Sequence, residues 1–334
     1  MKKLIFAVIP LFAVVVIIGG FTPDVMAHVD LSMLADSGVA MSTVAGAMSR
    51  PTLNERIDQK IQDAPNVALS NTAVWKLPIG RRFHELQCVI GGTAPVLTDI
   101  SEIRVIANEK VIHRYSATER DAMNQFDGRA AWNASTNPTL VIPFERYNLE
   151  NSVAEQESAI DTGPVVEGTG RKIRSLTLEM DLTSGFPADG TVKVYATQSL
   201  SLGRGAGTVM HVTKDLRTAA GSGEAEFYDL PYNSVIAQAL NRVFIGISAN
   251  DISELKIDRD NRTIFERTKV VNSHVQTDGI RTPQSGYYVV DRTEKGQVGN
   301  RINLVGVQDF RYKATMTGAA TLTFLSEYLG ALGD

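Results

Sequence analysis

The chain has 334 residues, 43% hydrophobic and only 21% charged, which provides enough apolar residues for one large core or two ordinary ones. The net charge of −4, from 33 basic and 37 acidic residues, provides no positive field for nucleic acid and argues against direct nucleic-acid contact. Cys88 is the only cysteine, which excludes an intrachain disulfide. Because it sits in the apolar-rich run "HELQCVIGG", we expect a buried structural thiol.

The first 27 residues differ from the rest of the chain. Two lysines precede an 18-residue apolar run at 4–21, which as a helix would be about 27 Å long and nearly span a bilayer core. Val25 and Ala27 ahead of His28 also fit a signal-peptide cleavage site. Residues 1–27 are therefore predicted to form an apolar helix that is either a cleaved secretion signal or a retained membrane anchor.

Residues 28–70 are predicted to be a tether with one short helix. The segment is rich in Ala, Met and Ser as far as residue 50 and then becomes polar. Thr52, directly after Pro51, has the side chain of a helix N-cap. The short helix is therefore expected to begin after Pro51.

From Asn71 onward, short runs rich in Val, Ile, Thr, Tyr and Phe are separated by Gly, Pro, Asn and Asp, which is typical of strands and turns. The strand-sized runs are KIRSLTLEMDL, GTVKVYATQSL, RVFIGIS, GYYVVD, RINLVGV, FRYKATM and ATLTFLSEYL. Many short strands with few helical patterns indicate an all-β fold of sandwiches or barrels.

Two segments nearly repeat each other: "DISEIRV" at 99–105 and "DISELKI" at 251–257, 152 residues later. Leu-Pro and Asp-Gly dipeptides flank both copies at nearly the same offset, at residues 77–78, 230–231, 127–128 and 278–279. Such an echo indicates an internal duplication. We predict two related domains, 71–202 and 203–334, joined near the glycine-rich stretch 201–208.

Both copies of the repeat alternate as half-buried strands do. Ile103, Val105 and Ala107 are predicted to share the apolar face of the first copy, as Leu255 and Ile257 do in the second. The segments "ANEK" and "RDNR" that follow are rich in turn-forming residues, and the segments "VIH" and "TIF" after them are again typical of strands. Each copy is therefore predicted to begin a β-hairpin.

Segments that look catalytic or metal-binding lack residues that the chemistry requires. "HELQC" places His84, Glu85 and Cys88 like a zincin motif, but Cys88 replaces the second histidine and the segment alternates like a strand. "DRDN" at 258–261 begins like a calcium loop, but Lys269 stands where that loop needs its bidentate glutamate. We predict no catalytic, cofactor-binding or metal-binding residues and no enzyme activity.

Several stretches carry a family resemblance: "LPIGRRFHELQCVIGG", "LTDISEIRVIANEKVIHRYSATERDAMNQFDG", "VIPFERYNLENSVAEQESAIDTG" and "LPYNSVIAQALNRVFIGISANDISELKIDRDNRTIFERT". They resemble the major capsid proteins of membrane-containing bacterial viruses of the corticovirus and finnlakevirus type. The resemblance implies two tandem eight-stranded jelly rolls, standing side by side and perpendicular to the capsid surface. It also implies homotrimers whose six rolls make a pseudo-hexameric tile, so that three duplicated chains imitate six-fold symmetry.

The resemblance further implies a major capsid protein of an icosahedral bacteriophage virion, located in the capsid shell over an internal membrane. Its partners would be neighbouring capsomers, minor capsid and penton proteins and the internal lipid membrane, without a cofactor. Because secretion would be unproductive for a capsid protein that assembles in the host cell, the resemblance favours a retained anchor. The predicted membrane-contacting residues are Leu4, Ile5, Phe6, Ile9, Leu11, Phe12, Val15, Ile17 and Phe21.

The alternative function is that of a secreted or cell-surface β-sandwich that serves in binding or adhesion, exported by the same N-terminal segment. Binding modules for carbohydrates usually expose aromatic side chains for stacking on sugars. Aromatic residues are only 7% of this chain, and Trp75 and Trp132 are its only tryptophans. This composition favours the capsid interpretation.

Overall fold

The computed structural model describes residues 55–146, 149–166, 170–247, 251–297 and 300–333. The first roll contains β1 (Ile57–Lys60), β2 (Thr72–Lys76), β3 (Arg81–Gly91), β4 (Ile100–Ala107), β5 (Lys110–Tyr115), β6 (Thr139–Pro143), β7 (Ile160–Asp161), β8 (Leu176–Leu182) and β9 (Thr191–Leu200). The second roll contains β10 (Val209–Ala219), β11 (Gly223–Phe227), β12 (Ala239–Ile247), β13 (Ile252–Arg259), β14 (Arg262–Thr268), β15 (Tyr287–Asp291), β16 (Ile302–Asn303), β17 (Phe310–Met316) and β18 (Ala320–Gly330).

Short helices connect some of these strands. They are α1 (Ala117–Phe126), α2 (Ser152–Glu155) and α3 (Lys269–Gln276), together with single 3-10 turns at Leu97–Asp99, Gln156–Ser158 and Glu294–Gly296. α1 begins with a capping box, in which the Ser116 hydroxyl accepts from the Glu119 amide and the Glu119 carboxylate accepts from the Ser116 amide. At the start of α3 the Thr268 hydroxyl accepts from the Val271 amide, without a reciprocal bond.

The two rolls share one pattern of strand pairing. In the first roll the sheets run β1-β9-β3-β6, with β7 on β3, and β2-β8-β4-β5. In the second they run β10-β18-β12-β15, with β16 on β12, and β11-β17-β13-β14. Each strand of the first roll thus has its equivalent nine strands later. Apart from the two-residue strands β7 and β16, each roll has eight strands, which confirms the two tandem eight-stranded jelly rolls.

The repeated heptapeptides occupy equivalent strands, as the duplication predicts. Ile103 on β4 and Leu255 on β13 are both fully buried, and each strand pairs with the next strand and with the penultimate strand of its roll. The hairpin turns that follow have the same backbone, because Asn108, Glu109, Asp260 and Asn261 all have positive φ angles between 49° and 69°. Two consecutive left-handed residues define the type I′ turn that suits the twist of a hairpin.

The hydrophobic core of the first roll continues into the second. The main cluster of the first roll, which includes Trp75 and Phe83, also contains side chains from the second roll. These are Val209, Val212, Phe244, Val289, Leu325 and Leu332. A separate cluster around Leu255, Tyr312 and Phe324 fills the second roll. The rolls are therefore packed against each other through apolar contacts and share part of one hydrophobic core.

The short helix predicted to follow Pro51 is wrong for the residues that the structure describes. Ile57–Lys60 is instead a strand, β1, which pairs antiparallel with β9. The reason is that β9 would otherwise leave an unpaired edge, and the backbone groups of β1 satisfy it. The sheets of the first roll consequently include residues from the segment predicted to be a tether. The apolar helix predicted at 1–27 lies outside the described residues.

Candidate functional site: the junction between the two rolls

The two rolls are joined through their backbones where β5 lies parallel to β10. Val212 of β10 pairs with His113 of β5, which makes one sheet from strands of both rolls. The His113 Nε2–H donates to the carbonyl oxygen of Met210 at 3.1 Å. Burial, with the nearby Arg120 and His211, lowers the pKa of His113 to about 3. The imidazole is therefore neutral across the physiological pH range.

A buried ionic cluster crosses the junction beside this sheet. The Arg242 guanidinium donates to the Glu327 carboxylate at 2.6 Å from Nε and 2.8 Å from Nη2, and to both carboxylate oxygens of Asp127. Arg242 and Glu327 belong to the second roll, and Asp127 follows α1 of the first. Although burial acts to lower it, the carboxylates of Asp127 and Glu327 raise the pKa of Arg242 well above its ordinary value. The guanidinium is a permanent charge that bridges the rolls.

A second buried arginine balances the charge of this cluster. Arg120 of α1 is fully buried, donates from Nη2 to Asn124 Oδ1 at 2.9 Å and lies over the Tyr115 ring at 5.6 Å. Burial lowers the pKa of Arg120, and the nearby Tyr115 and Glu327 act against this effect. Two guanidinium groups thus face the carboxylates of Asp127 and Glu327 in a region closed to solvent, and the cation over the ring adds a favourable contact.

The segment after α1 fits closely against the second roll. Gly128 has a φ of +76°, and a Cβ atom at this position would lie 2.3 Å from the carbonyl oxygen of Ile280. The Thr282 amide donates to the Phe126 carbonyl at 2.9 Å, and the Phe126 ring packs edge-on against Phe244 with centroids 5.1 Å apart. Glycine is required here because only its backbone allows both the left-handed turn and the close approach.

Ion pairs at the margin of the junction add further links. The Lys214 ammonium lies 2.8 Å from the Glu119 carboxylate, and Arg301 lies 3.1 Å from Glu157. These pairs are part-exposed, so each contributes little to stability. The central cluster differs, because removing one partner of a buried ion pair leaves an uncompensated charge and costs roughly 3–5 kcal/mol. The arrangement suits a rigid joint that fixes the orientation of the rolls, since Arg242, Asp127 and Glu327 pair with one another.

The structure places the motifs singled out from the sequence in structural roles. His84 lies on β3, with Nδ1 2.8 Å from Glu145 and Nε2 2.8 Å from Ser199, so both ring nitrogens are engaged by protein groups. Cys88 is buried on the same strand, and burial raises the pKa of its thiol to about 12. Residues 258–261 end β13 and form the turn into β14. Within the described ranges, no group of three or more His, Cys, Asp or Glu side chains is placed to hold a metal ion.

The predicted membrane-contacting residues lie outside the described part of the chain. These are Leu4, Ile5, Phe6, Ile9, Leu11, Phe12, Val15, Ile17 and Phe21. Among the residues that the structure does describe, no helix is long and apolar enough to cross a bilayer. Their contact with a membrane therefore stays a prediction.

Sequence reasoning missed the central cluster. Asp127 was noted only as a landmark of the repeat, and Arg242 and Glu327 were not singled out. A signal for them exists, because each is a charged residue inside an otherwise apolar run, "LNRVFIGI" and "LTFLSEYL". Charged residues are almost never fully buried without a partner, so a charge in the centre of such a strand indicates a buried ion pair.

Comparison with known families and structures identifies the architecture. The family model of the viral coat protein P2 N-terminal domain matches residues 58–199, and that of the C-terminal domain matches residues 209–332. A search of curated proteins finds no match. The division between the two matched regions falls at residues 200–208, between β9 and β10.

Solved structures share the fold at low sequence identity. The major capsid protein P2 from bacteriophage PM2 is 18% identical with a TM-score of 0.71, and the match covers 84% of this chain and 98% of that one. A chain of the Sulfolobus turreted icosahedral virus is 11% identical with a TM-score of 0.57, covering 82% and 91%. A chain of the PBCV-1 virus capsid is 10% identical with a TM-score of 0.51, covering 84% and 94%. Because the two family models together span most of the described residues, the chain belongs to the family of viral coat protein P2 and is a major capsid protein with the double jelly-roll fold.

Proposed function

We propose that three copies of this chain form a homotrimer whose six jelly rolls make a pseudo-hexameric capsomer. These capsomers tile an icosahedral shell over an internal membrane, together with minor capsid and penton proteins. The protein makes no direct contact with nucleic acid in this arrangement. The observation that carries the proposal is the equivalence of the two rolls, strand by strand, in one chain. Three duplicated chains provide six similar rolls, which a pseudo-hexameric tile with three-fold symmetry requires.

The buried junction supports this role. A tile keeps its hexagonal outline only if the angle between the two rolls of each chain is fixed. The apolar core shared across the rolls and the cluster around Arg242 fix that angle. Exposed apolar side chains on the short helices remain available for contacts between chains: Val153 on α2 and Val270 and Val271 on α3 are 78%, 80% and 50% exposed.

The N-terminal segment supports the proposed membrane. In this proposal residues 4–21 stay attached and insert as a helix, which satisfies every backbone group inside hydrocarbon. Lys2 and Lys3 remain at the headgroups. Mass spectrometry of the protein from mature particles tests the anchor: we expect a chain that retains residues 1–27. A chain that begins at His28 would contradict retention and leave the capsid role intact.

Light scattering after size-exclusion chromatography tests the trimer. The protein should be expressed from Arg50 onward, so that the apolar segment cannot aggregate it. We expect a mass of three chains that persists on dilution, since an obligate interface should bury on the order of 2,000 Å² or more. A stable monomer at micromolar concentration would contradict the proposed capsomer.

A further inference from the structure

The two ends of the rolls differ in the exposed basic side chains that they carry. We call basal the end where β1 begins, where β9 and β18 end and where the Asn108–Glu109 turn lies, as the strand registers define it. At the opposite end, the described loops 61–71, 92–99, 183–190, 220–222 and 317–319 contain Asp63, Asp99 and Asp189 and neither Lys nor Arg. The longer connections at that end, 116–138 and 269–286, contain Arg120, Arg129, Lys269 and Arg281, each of which has a polar partner. The basal loops of the first roll contain the basic residues Arg146, Arg171, Lys172, Arg174 and Arg204 and the acidic residues Glu109, Glu145, Glu150, Glu155 and Glu157. Glu145 pairs with Arg56, and Glu157 pairs with Arg146 and Arg301.

Exposed cations of the described chain that have no carboxylate or carbonyl partner are concentrated at the basal end. The exposed Lys and Arg side chains with no ion pair or side-chain hydrogen bond to a described residue are Lys76, Lys172, Arg174, Lys193, Arg204 and Arg262. Lys76 ends β2 and Arg262 begins β14, both at the basal end, and Lys172, Arg174 and Arg204 lie in basal loops. Lys193 alone among them lies near the other end. A single unpaired cation that is exposed to water does not lower the stability of the fold, but several such cations on one face form a positive surface.

Three basic residues of the basal loops surround a cleft. Arg171, Lys172 and Arg174 line it, together with Asn108, Glu109 and Ser175. Its volume is about 440 Å³, which lies within the range of sites for small molecules and admits a phosphate headgroup. The Asn108 side chain holds the rim in place by accepting from the Arg174 amide at 2.6 Å and donating to the Lys172 carbonyl at 2.9 Å. Glu109 is the one acidic residue of this lining, so basic residues prevail.

Exposed apolar side chains lie among the basic ones. Ile79, Val166, Leu202 and Val235 are 44%, 76%, 38% and 52% exposed, and all lie in basal loops. The acidic residues of the basal loops in the second roll are engaged, since Asp229 pairs with Arg217, Asp309 pairs with Arg311 and Asp260 accepts from two backbone amides. Basic and apolar side chains on one face are the combination that binds at an anionic membrane surface.

We propose that the basal end binds the phosphate headgroups of an anionic lipid membrane through Lys172, Arg174 and Arg204. This inference rests on the proposed function, in which a membrane lies beneath the shell. Chain connectivity supports it: the described chain begins at Glu55, directly ahead of β1 at the basal end, and the 54 residues before it contain the apolar run 4–21. The basic residues would hold each capsomer at a fixed height on the lipid, in addition to any anchor.

Flotation with vesicles tests the proposal on the full-length protein. The measured quantity is the gain in binding when phosphatidylglycerol is added to phosphatidylcholine vesicles. Each basic residue near an anionic surface strengthens binding about fivefold, so we expect Lys172→Gln/Arg174→Gln/Arg204→Gln to reduce this gain on the order of 100-fold. The matched control, Lys60→Gln/Arg114→Gln/Lys193→Gln, removes the same charge from exposed positions away from the basal end and should keep the gain. Equal losses in the two variants would overturn the proposal.

Chemical footprinting gives an independent measurement on the unaltered protein. Acylation of lysines in the presence of phosphatidylglycerol vesicles should spare Lys172 and modify Lys193. Equal modification of Lys172 with and without vesicles would overturn the proposal, and protection by inorganic phosphate alone would assign the cleft to a free anion instead. Light scattering of the basal triple variant distinguishes failure of the lipid contact from failure of the capsomer. A trimeric variant whose binding no longer depends on phosphatidylglycerol supports the lipid contact. A trimeric variant whose binding still depends on phosphatidylglycerol refutes the lipid contact and leaves the capsomer intact.

Discussion

The first and second rolls have a register shift at the same place in equivalent strands, but the charged side chain at the shift has a different partner in each roll. The register of β3 on β9 shifts between Phe83 and Glu85, and that of β12 on β18 shifts between Leu240 and Arg242. Glu85 and Arg242 are therefore equivalent positions. Glu85 is part-exposed and pairs with Arg129 of its own roll, whereas Arg242 is buried and pairs across the junction.

The Asp-Gly landmark of the repeat shows the same divergence. Asp278 accepts from the amides of Ile280 and Arg281 and pairs with the Arg281 side chain, all within its own roll. Asp127, at the equivalent place, is buried and accepts from Arg242 of the other roll. The register shift and the Asp-Gly turn are the same in both copies, and the side chains differ where one roll faces the other. The junction is thus the region in which the two copies have become unequal.

The largest effect is expected from Arg242→Met, which removes the cation and leaves Asp127 and Glu327 buried without it. We expect a loss of roughly 3–5 kcal/mol in the free energy of unfolding. Glu85→Gln at the equivalent position of the first roll should cost about 1 kcal/mol, because its ion pair is part-exposed. Chemical denaturation of both variants measures the difference. Equal losses would mean that the buried cluster contributes no more to the free energy of unfolding than the part-exposed ion pair of Glu85 does.

Gly128→Ala and Gly279→Ala form the next pair. Both glycines have positive φ angles, +76° and +89°, so alanine is strained at either site by roughly 1–2 kcal/mol. A Cβ at Gly128 would also lie 2.3 Å from the Ile280 carbonyl, whereas one at Gly279 meets nothing within 4 Å. We expect a total loss of about 3 kcal/mol for Gly128→Ala and about half of that for Gly279→Ala. Thermal unfolding compares them, and a similar fall in Tm for both would show that the rolls do not approach closely here.

The sequence predicted the fold to the level of equivalent strands, because alternation and turn residues are local signals that a hairpin must satisfy. The "DISEIRV" and "DISELKI" strands, their buried faces and their turns are as predicted. It predicted neither the strand at Ile57–Lys60 nor the partners of Arg242. β1 is set by the unpaired edge of β9 far along the chain, and Asp127 lies 115 residues from Arg242. Contacts of that kind depend on how whole sheets pack and leave no local periodicity.

Acid should weaken the junction through His113. Its pKa in the folded protein is about 3, below the ordinary value of about 6.5, so between these pH values the unfolded chain binds a proton and the folded protein does not. Stability therefore rises with pH across this window and is lost on acidification, by at most about 1.4 kcal/mol per pH unit. We expect His113→Gln to reduce the slope of unfolding free energy against pH, with His274→Gln, at an exposed helix position of the second roll, as the control for the loss of one imidazole. An unchanged slope for His113→Gln would contradict the burial of a neutral imidazole at the joint.

The smallest effect concerns the two hairpin turns, where the copies differ by one residue type. Glu109 in the first roll and Asn261 in the second both adopt the left-handed conformation, with φ angles of 69° and 62°. Glutamate is strained there, whereas asparagine tolerates the conformation through its short polar side chain. Glu109→Gly creates the Asn-Gly pair that type I′ turns prefer, and we expect a gain of roughly 0.5–1 kcal/mol after the entropy of the more flexible unfolded chain is counted. Asn261→Gly should change stability by less than about 0.3 kcal/mol, because the relief of strain is small and the entropy cost is similar. Denaturation midpoints of the two variants decide the matter: a gain at both turns, or at neither, would mean that the first hairpin carries no more backbone strain than the second.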